Sequence, residues 1–220
     1  MDTINSIFDQ SVDPHVRGWV HTPHDPRGDA LILTHGAGGN CDAPLLVALA
    51  ETFCGRGYTV LRCDLPFRQE RHFGPPSPGN AERDRASLRN AVAVMRKTVA
   101  GRMFLSGHSY GGRQATMLCA EEHDLVSGLL LLSYPLHPPR KPEQLRTQHL
   151  PNLHTPCLFV HGTRDPFGSV EEIKKALQMI PAKNGLMEVK EAGHDLGFKG
   201  KVQAPGLTAR VFSRFDEMFG

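Results

Sequence analysis

The sequence is short of several things, and each shortage removes a class of function. Its five cysteines, Cys41, Cys54, Cys63, Cys119 and Cys157, stand singly, with no C-x-x-C pair and an odd total. That pattern excludes a disulfide framework and predicts buried or half-buried free thiols in a reducing compartment. Neither sign of charge dominates: 25 Lys and Arg face 23 Asp and Glu, for a net charge of +2 without a basic block. Nucleic acid and membrane surfaces are therefore not expected partners. No apolar run, 128–132 included, comes near the length needed to span a bilayer. Residues 1–5 lack the basic and apolar regions of a secretory signal, so a cytoplasmic location is expected. The close histidine pair His21-x-x-His24 lies in a turn without a matching ligand set, so no metal and no cofactor is expected. Repeats, low-complexity tracts and linkers are all missing.

What is present reads as one α/β domain over 1–220, with enough chain to bury a full core. Residues 16–20 suggest an antiparallel edge strand of mixed character. From residue 30 onward, strand and helix patterns alternate. Strands are predicted over 30–34, 58–64, 103–105, 126–133, 156–162 and 186–191. Helices are predicted over 44–54, 81–100, 110–120, 169–180 and 204–219. Gly55-Arg56-Gly57 caps the first helix, and Ser169 with Glu172 forms a capping box for the fourth. Residues 65–80 read as a loop long enough to reach over a site. Residues 134–155 leave room for one short helix and not for a large cap domain. This alternation argues a doubly wound, mostly parallel sheet with helices on both faces, whose sites form at the carboxyl ends of the strands.

The stretch that organises the rest is 102–113. A buried strand, Met103 to Leu105, runs into Gly107-His108-Ser109-Tyr110-Gly111 and then into good helix formers. Strand, sharp turn and helix is the setting a G-x-S-x-G nucleophile elbow requires. The serine takes a strained backbone, so its neighbours two places away must be small, as Gly107 and Gly111 are. The helix N-terminus behind it favours negative charge above the turn. A second Gly-rich turn, His35-Gly36-Ala37-Gly38-Gly39, follows strand 30–34. As a dinucleotide fingerprint it fails, because Cys41 stands where the third glycine belongs, and no Walker A lysine follows. It reads better as an oxyanion loop.

A serine hydroxyl is a poor nucleophile until a base takes its proton and an acid orients that base. Ser109, Asp165 and His194 occur in that chain order, each just past a predicted strand. Asp195 also neighbours His194, but adjacent residues usually point apart, and Asp165 is the preferred acid. The amides of Ala37 and Tyr110 would hold the oxyanion.

On these motifs, together with His161-Gly162-Thr163-Arg164-Asp165 and Gly193-His194, the chain resembles the α/β-hydrolase superfamily over nearly its whole length from residue 15. Asp64-Leu65-Pro66-Phe67 and Gly112-Arg113 are similar to the small capless branch of testis-expressed-protein-30-like and NSL-complex-subunit-3-like hydrolases. Small dienelactone-hydrolase-like proteins are the rival, but that family typically carries a cysteine nucleophile where this chain has Ser109. The resemblance implies an α/β-hydrolase fold and a hydrolytic site for a small acyl substrate. A non-catalytic scaffold with a vestigial site is the alternative. Without a cap, the 65–80 and 134–155 segments are expected to wall a shallow site for short acyl groups, with Arg68, Arg71 and Arg113 as candidate contacts for an anionic group.

Overall fold

The computed structural model describes residues 1–198 and 206–220. Its elements, in chain order, are β1 (Thr3–Asp9), β2 (Val16–Thr22), β3 (Ala30–Thr34), α1 (Pro44–Cys54), β4 (Thr59–Cys63), α2 (Pro66–Glu70) and α3 (Ala81–Met95). There follow β5 (Met103–His108), α4 (Tyr110–Glu121), β6 (Gly128–Leu132), β7 (Cys157–Gly162), α5 (Val170–Leu177), β8 (Asn184–Val189) and α6 (Leu207–Phe219). Short 3-10 turns cover Pro78–Asn80 and Leu150–Asn152. The expected start of the last helix at residue 204 lies outside the described residues.

All eight strands form one sheet in the order β1-β2-β4-β3-β5-β6-β7-β8. β1 and β2 run antiparallel at one side, and every pairing from β4 to β8 is parallel. The chain leaves β3 toward β4 and then returns to place β5 on β3's other side. Strand order therefore reverses at the β3–β5 seam, where Thr34 pairs with Gly107. Loops leaving two such strands diverge to opposite faces and open a crevice at the carboxyl ends.

The central strands are apolar on both faces because both faces are covered. Alternate residues feed two cores, as the period of two along a strand requires. Ile32, Leu105, Leu129, Leu131 and Phe159 pack with α3, α4 and α5. Leu31, Leu33, Phe104, Leu130, Leu132 and Val160 pack with α1 and α6 on the other side. There Phe53, Tyr58, Phe104 and Phe215 meet edge to face, with ring centroids 4.9–6.2 Å apart.

Three expectations need correction. The strand at 16–20 is not an edge; it continues to Thr22 and lies between β1 and β4. β1 is the edge, and it has no sequence signature of burial because its residues are largely exposed. It is held by backbone bonding along its whole length to β2. The segment 65–80 contains a five-residue helix and a 3-10 turn. The second predicted helix, 81–100, stops at Met95, five residues early, in a turn that leads to Gly101.

Candidate active site

The site grows from two backbone constraints at the crevice. Ser109 follows β5 with φ 52° and ψ −115°, a region that costs a non-glycine residue energy. Its amide is tied to the Leu132 carbonyl at 2.8 Å, and α4 begins at the next residue. The turn closes only without side chains at its flanks. A Cβ on Gly107 would collide with the Gly111 and Gly112 backbone, and one on Gly111 would strike the His35 carbonyl. The hydroxyl is thereby carried to the rim of the sheet above the α4 N-terminus.

β7 and β8 deliver its partners. The Ser109 hydroxyl lies 2.7 Å from His194 Nε2, to which it can donate. His194 Nδ1 lies 2.8 Å and 3.0 Å from the two Asp165 oxygens. With Asp165 accepting at Nδ1, the Nδ1–H tautomer is set and Nε2 faces the serine as a base. Asp165 is buried, and it accepts from the Phe167 amide at 2.9 Å. Phe167 lies against the imidazole, with centroids 4.2 Å apart and planes 30° from parallel. His108 donates from Nε2 to the His194 carbonyl at 2.8 Å. His161, fully buried, donates to the Gly168 carbonyl and braces the turn carrying Asp165. Asp195 faces the same cavity but accepts from the Gly197 amide, not from the imidazole.

The 35–39 turn stands across from the elbow. Ala37 and Tyr110 both border the cavity. The Tyr110 amide is in the first turn of α4 and has no intrahelical acceptor. Burial, chiefly, holds the His35 imidazole below its usual pKa; its Nδ1–H donates to the Gly36 carbonyl and its Nε2 accepts from the Leu65 amide. Arg68 secures the turn further. Its guanidinium donates to the carbonyls of Ala37, Gly39, Arg71 and Gly74 at 2.7–3.1 Å. Arg68 is thus occupied by the protein itself and is not a substrate contact. Arg71 bonds the Pro75 carbonyl on the exposed surface. Of the three expected arginines, only Arg113 borders the cavity, and Arg146 joins it there.

The cavity measures about 540 Å³, and its apolar wall comes from Ala43, Pro44, Leu45, Leu46, Phe167 and Phe198. Among the described residues, 134–155 contributes Pro135 and Arg146, whereas 65–80 contributes no lining residue. The opening turn of α1 takes the place expected of that loop. Behind the elbow, Tyr110 donates to Asp84 at 2.6 Å. Burial outweighs that bond and pushes the Asp84 carboxyl up to about 6. Neither the Arg68 brace nor the Asp84 contact has a local signature, since each depends on groups brought together by folding. The His21-x-x-His24 pair separates: His21 is buried and accepts from Arg62 Nε at 2.9 Å, while His24 lies beside Asp25 on the surface.

Comparison with known proteins places these features in a family setting. A family profile described as "Alpha/beta hydrolase domain" matches residues 27–209. The chain is similar in fold to a dienelactone hydrolase from Anabaena variabilis, at 19% identity and a TM-score of 0.76, covering 99% of this chain and 97% of that one. It is likewise similar to Est1E from Butyrivibrio proteoclasticus, at 17% identity and a TM-score of 0.75, covering 97% and 98%. A third similar structure is a serine hydrolase without lid from Xanthomonas campestris, at 14% identity and a TM-score of 0.75, covering 98% and 95%.

Proposed function

The chain belongs to the α/β-hydrolase domain family, and from that premise we propose that it is a serine hydrolase cleaving a small ester or thioester through a covalent acyl-enzyme. The observation that carries this reading is the unbroken relay from the Ser109 hydroxyl through His194 to Asp165. In this mechanism His194 Nε2 takes the proton as Ser109 Oγ attacks the acyl carbon. The carbonyl oxygen becomes an oxyanion, and the Ala37 and Tyr110 amides donate to it. Loss of one such donor typically raises the barrier by about 3–4 kcal/mol. Collapse expels the alcohol or thiol, which leaves with the proton from His194. A water molecule then gives its proton to His194 and attacks the acyl-enzyme, freeing the acid and restoring Ser109. Asp165, by accepting at Nδ1, keeps the tautomer and stabilises each imidazolium.

Within the family, Asp64-Leu65-Pro66-Phe67 and Gly112-Arg113 support a place near the testis-expressed-protein-30-like and NSL-complex-subunit-3-like branch. A cytoplasmic location is part of the same reading, supported by five unpaired, buried thiols. No helix among the described residues is long and apolar enough to cross a membrane.

Labelling with a fluorophosphonate tests the proposal. Intact protein should be modified at Ser109 and turn over short 4-nitrophenyl esters, and Ser109→Ala should do neither. Folded wild-type protein that neither labels nor turns over any ester would leave only a scaffold.

A further inference from the structure

Two cations border the cavity, and no carboxylate of the described protein pairs with them. Arg113 lies one turn into α4, four residues after Ser109, and Arg146 comes from the segment between β6 and β7. Helical side chains lean toward the helix N-terminus, so Arg113 leans back toward the nucleophile. Other buried or partly buried arginines are satisfied within the protein: Arg62 meets Asp42, Arg85 meets Glu121, and Arg68 spends its guanidinium on four backbone carbonyls. Arg113 and Arg146 form no ion pair among the described residues. Asp195, the one carboxylate in the described lining, is within ion-pair range of neither. Arg113 Nε is sealed from solvent and has no hydrogen-bond partner. Arg146 makes one long side-chain bond, 3.3 Å to the Pro135 carbonyl. Burial first, and then the charge of Arg113, pull the Arg146 guanidinium below its usual pKa, so the two groups feel each other. The nearby His149 imidazole, held down to about 4 by burial and then by Arg113, is neutral near pH 7 and adds no third charge.

Like charges brought together in a partly dry cleft, with donor capacity unspent, are costly unless an anion completes them. We propose that Arg113 and Arg146 form an anion subsite beside Ser109, and that the substrate is an ester or thioester carrying a carboxylate or phosphate a few bonds from the acyl carbon. Two planar forks suit either oxyanion. The inference rests on the serine-hydrolase reading for its chemistry, but the subsite can be tested without it.

The first arm compares kcat/KM for mono-4-nitrophenyl glutarate and 4-nitrophenyl butanoate. Wild-type protein should favour the anionic ester about ten- to a hundredfold. Arg113→Gln and Arg146→Gln should each bring that ratio toward one, and Arg113→Lys should retain part of it. A wild-type ratio near one, or a ratio unmoved in both Gln variants, overturns the proposal. The second arm titrates monomethyl glutarate, inorganic phosphate and methyl butanoate into Ser109→Ala by calorimetry. At least one anion should bind, the neutral ester should not, and Arg113→Gln in that background should abolish the heat. Whichever anion binds more tightly identifies the charged group. Absence of anion binding overturns the subsite even if esters are cleaved. Anion binding without ester cleavage by wild type overturns only the hydrolase reading. Circular dichroism of each variant separates lost binding from lost fold; if Arg113→Gln does not fold, Arg146→Gln and Arg113→Lys decide.

Discussion

At Ser109 the backbone is held at positive φ by hydrogen bonding on one side and helix initiation on the other, and the side chains around it divide the remaining work. Asp165 and Asp195 are both close to His194 in space or sequence, yet only Asp165 meets Nδ1. Asp165→Asn should therefore lower kcat on a short ester about ten-thousandfold by favouring the wrong tautomer. Asp195→Asn should cost far less in the same assay. Asp84 has a different signature. Its folded pKa of about 6 lies above the 3.8 of a free Asp. Between those values the folded protein keeps a proton that the unfolded chain has released. The resulting stabilisation is complete below pH 3.8 and is lost as pH rises through about 6. Asp84→Asn has no such charge to bury. It should melt higher than wild type at pH 7.5, by up to about 3 kcal/mol of stability, and the advantage should vanish at pH 4. Melting curves across that range would check the sign.

Between elements, contacts are tightest where β5 turns into α4. Gly107→Ala would drive a methyl into the Gly111 and Gly112 backbone, and we expect a loss of more than about 3 kcal/mol in urea unfolding. The 35–39 turn is fixed differently, by the ring bonds of His35 and by the Arg68 guanidinium, which reaches four carbonyls across two segments. Arg68→Met would leave those acceptors unpaired in a confined space and loosen the loop bearing the Ala37 amide. Stability should fall by about 3 kcal/mol, and kcat should fall with it. Arg68→Lys should recover only part of either, because an ammonium cannot fork. The capping box on α5 is a smaller, wholly local device: Ser169 Oγ accepts from the Glu172 amide while Glu172 accepts from the Ser169 amide.

For the whole molecule, the deciding feature is the absence of a cap over a cavity of about 540 Å³ among the described residues. That volume lies in the range of small-molecule sites, and with no cap among the described residues a long acyl chain would gain little further burial. A panel of 4-nitrophenyl esters should show butanoyl favoured over hexadecanoyl; the reverse order would point to a larger binding surface. At this scale the limits of the sequence are also visible. By itself the chain determined the parallel core, because strands such as Leu129–Leu132, covered on both faces, must be apolar at every position. It determined the order of Ser109, Asp165 and His194 and the turns that carry them, because glycines, caps and strand ends obey rules a few residues long. Only the tertiary structure decided that β1 is a strand, since exposed residues joined by backbone bonds leave no pattern of hydrophobicity. Only it decided that Arg68 holds a loop while Arg113 and Arg146 share a cavity. An arginine's role depends on which carbonyls or carboxylates reach its guanidinium, and those arrive from segments far away in the chain.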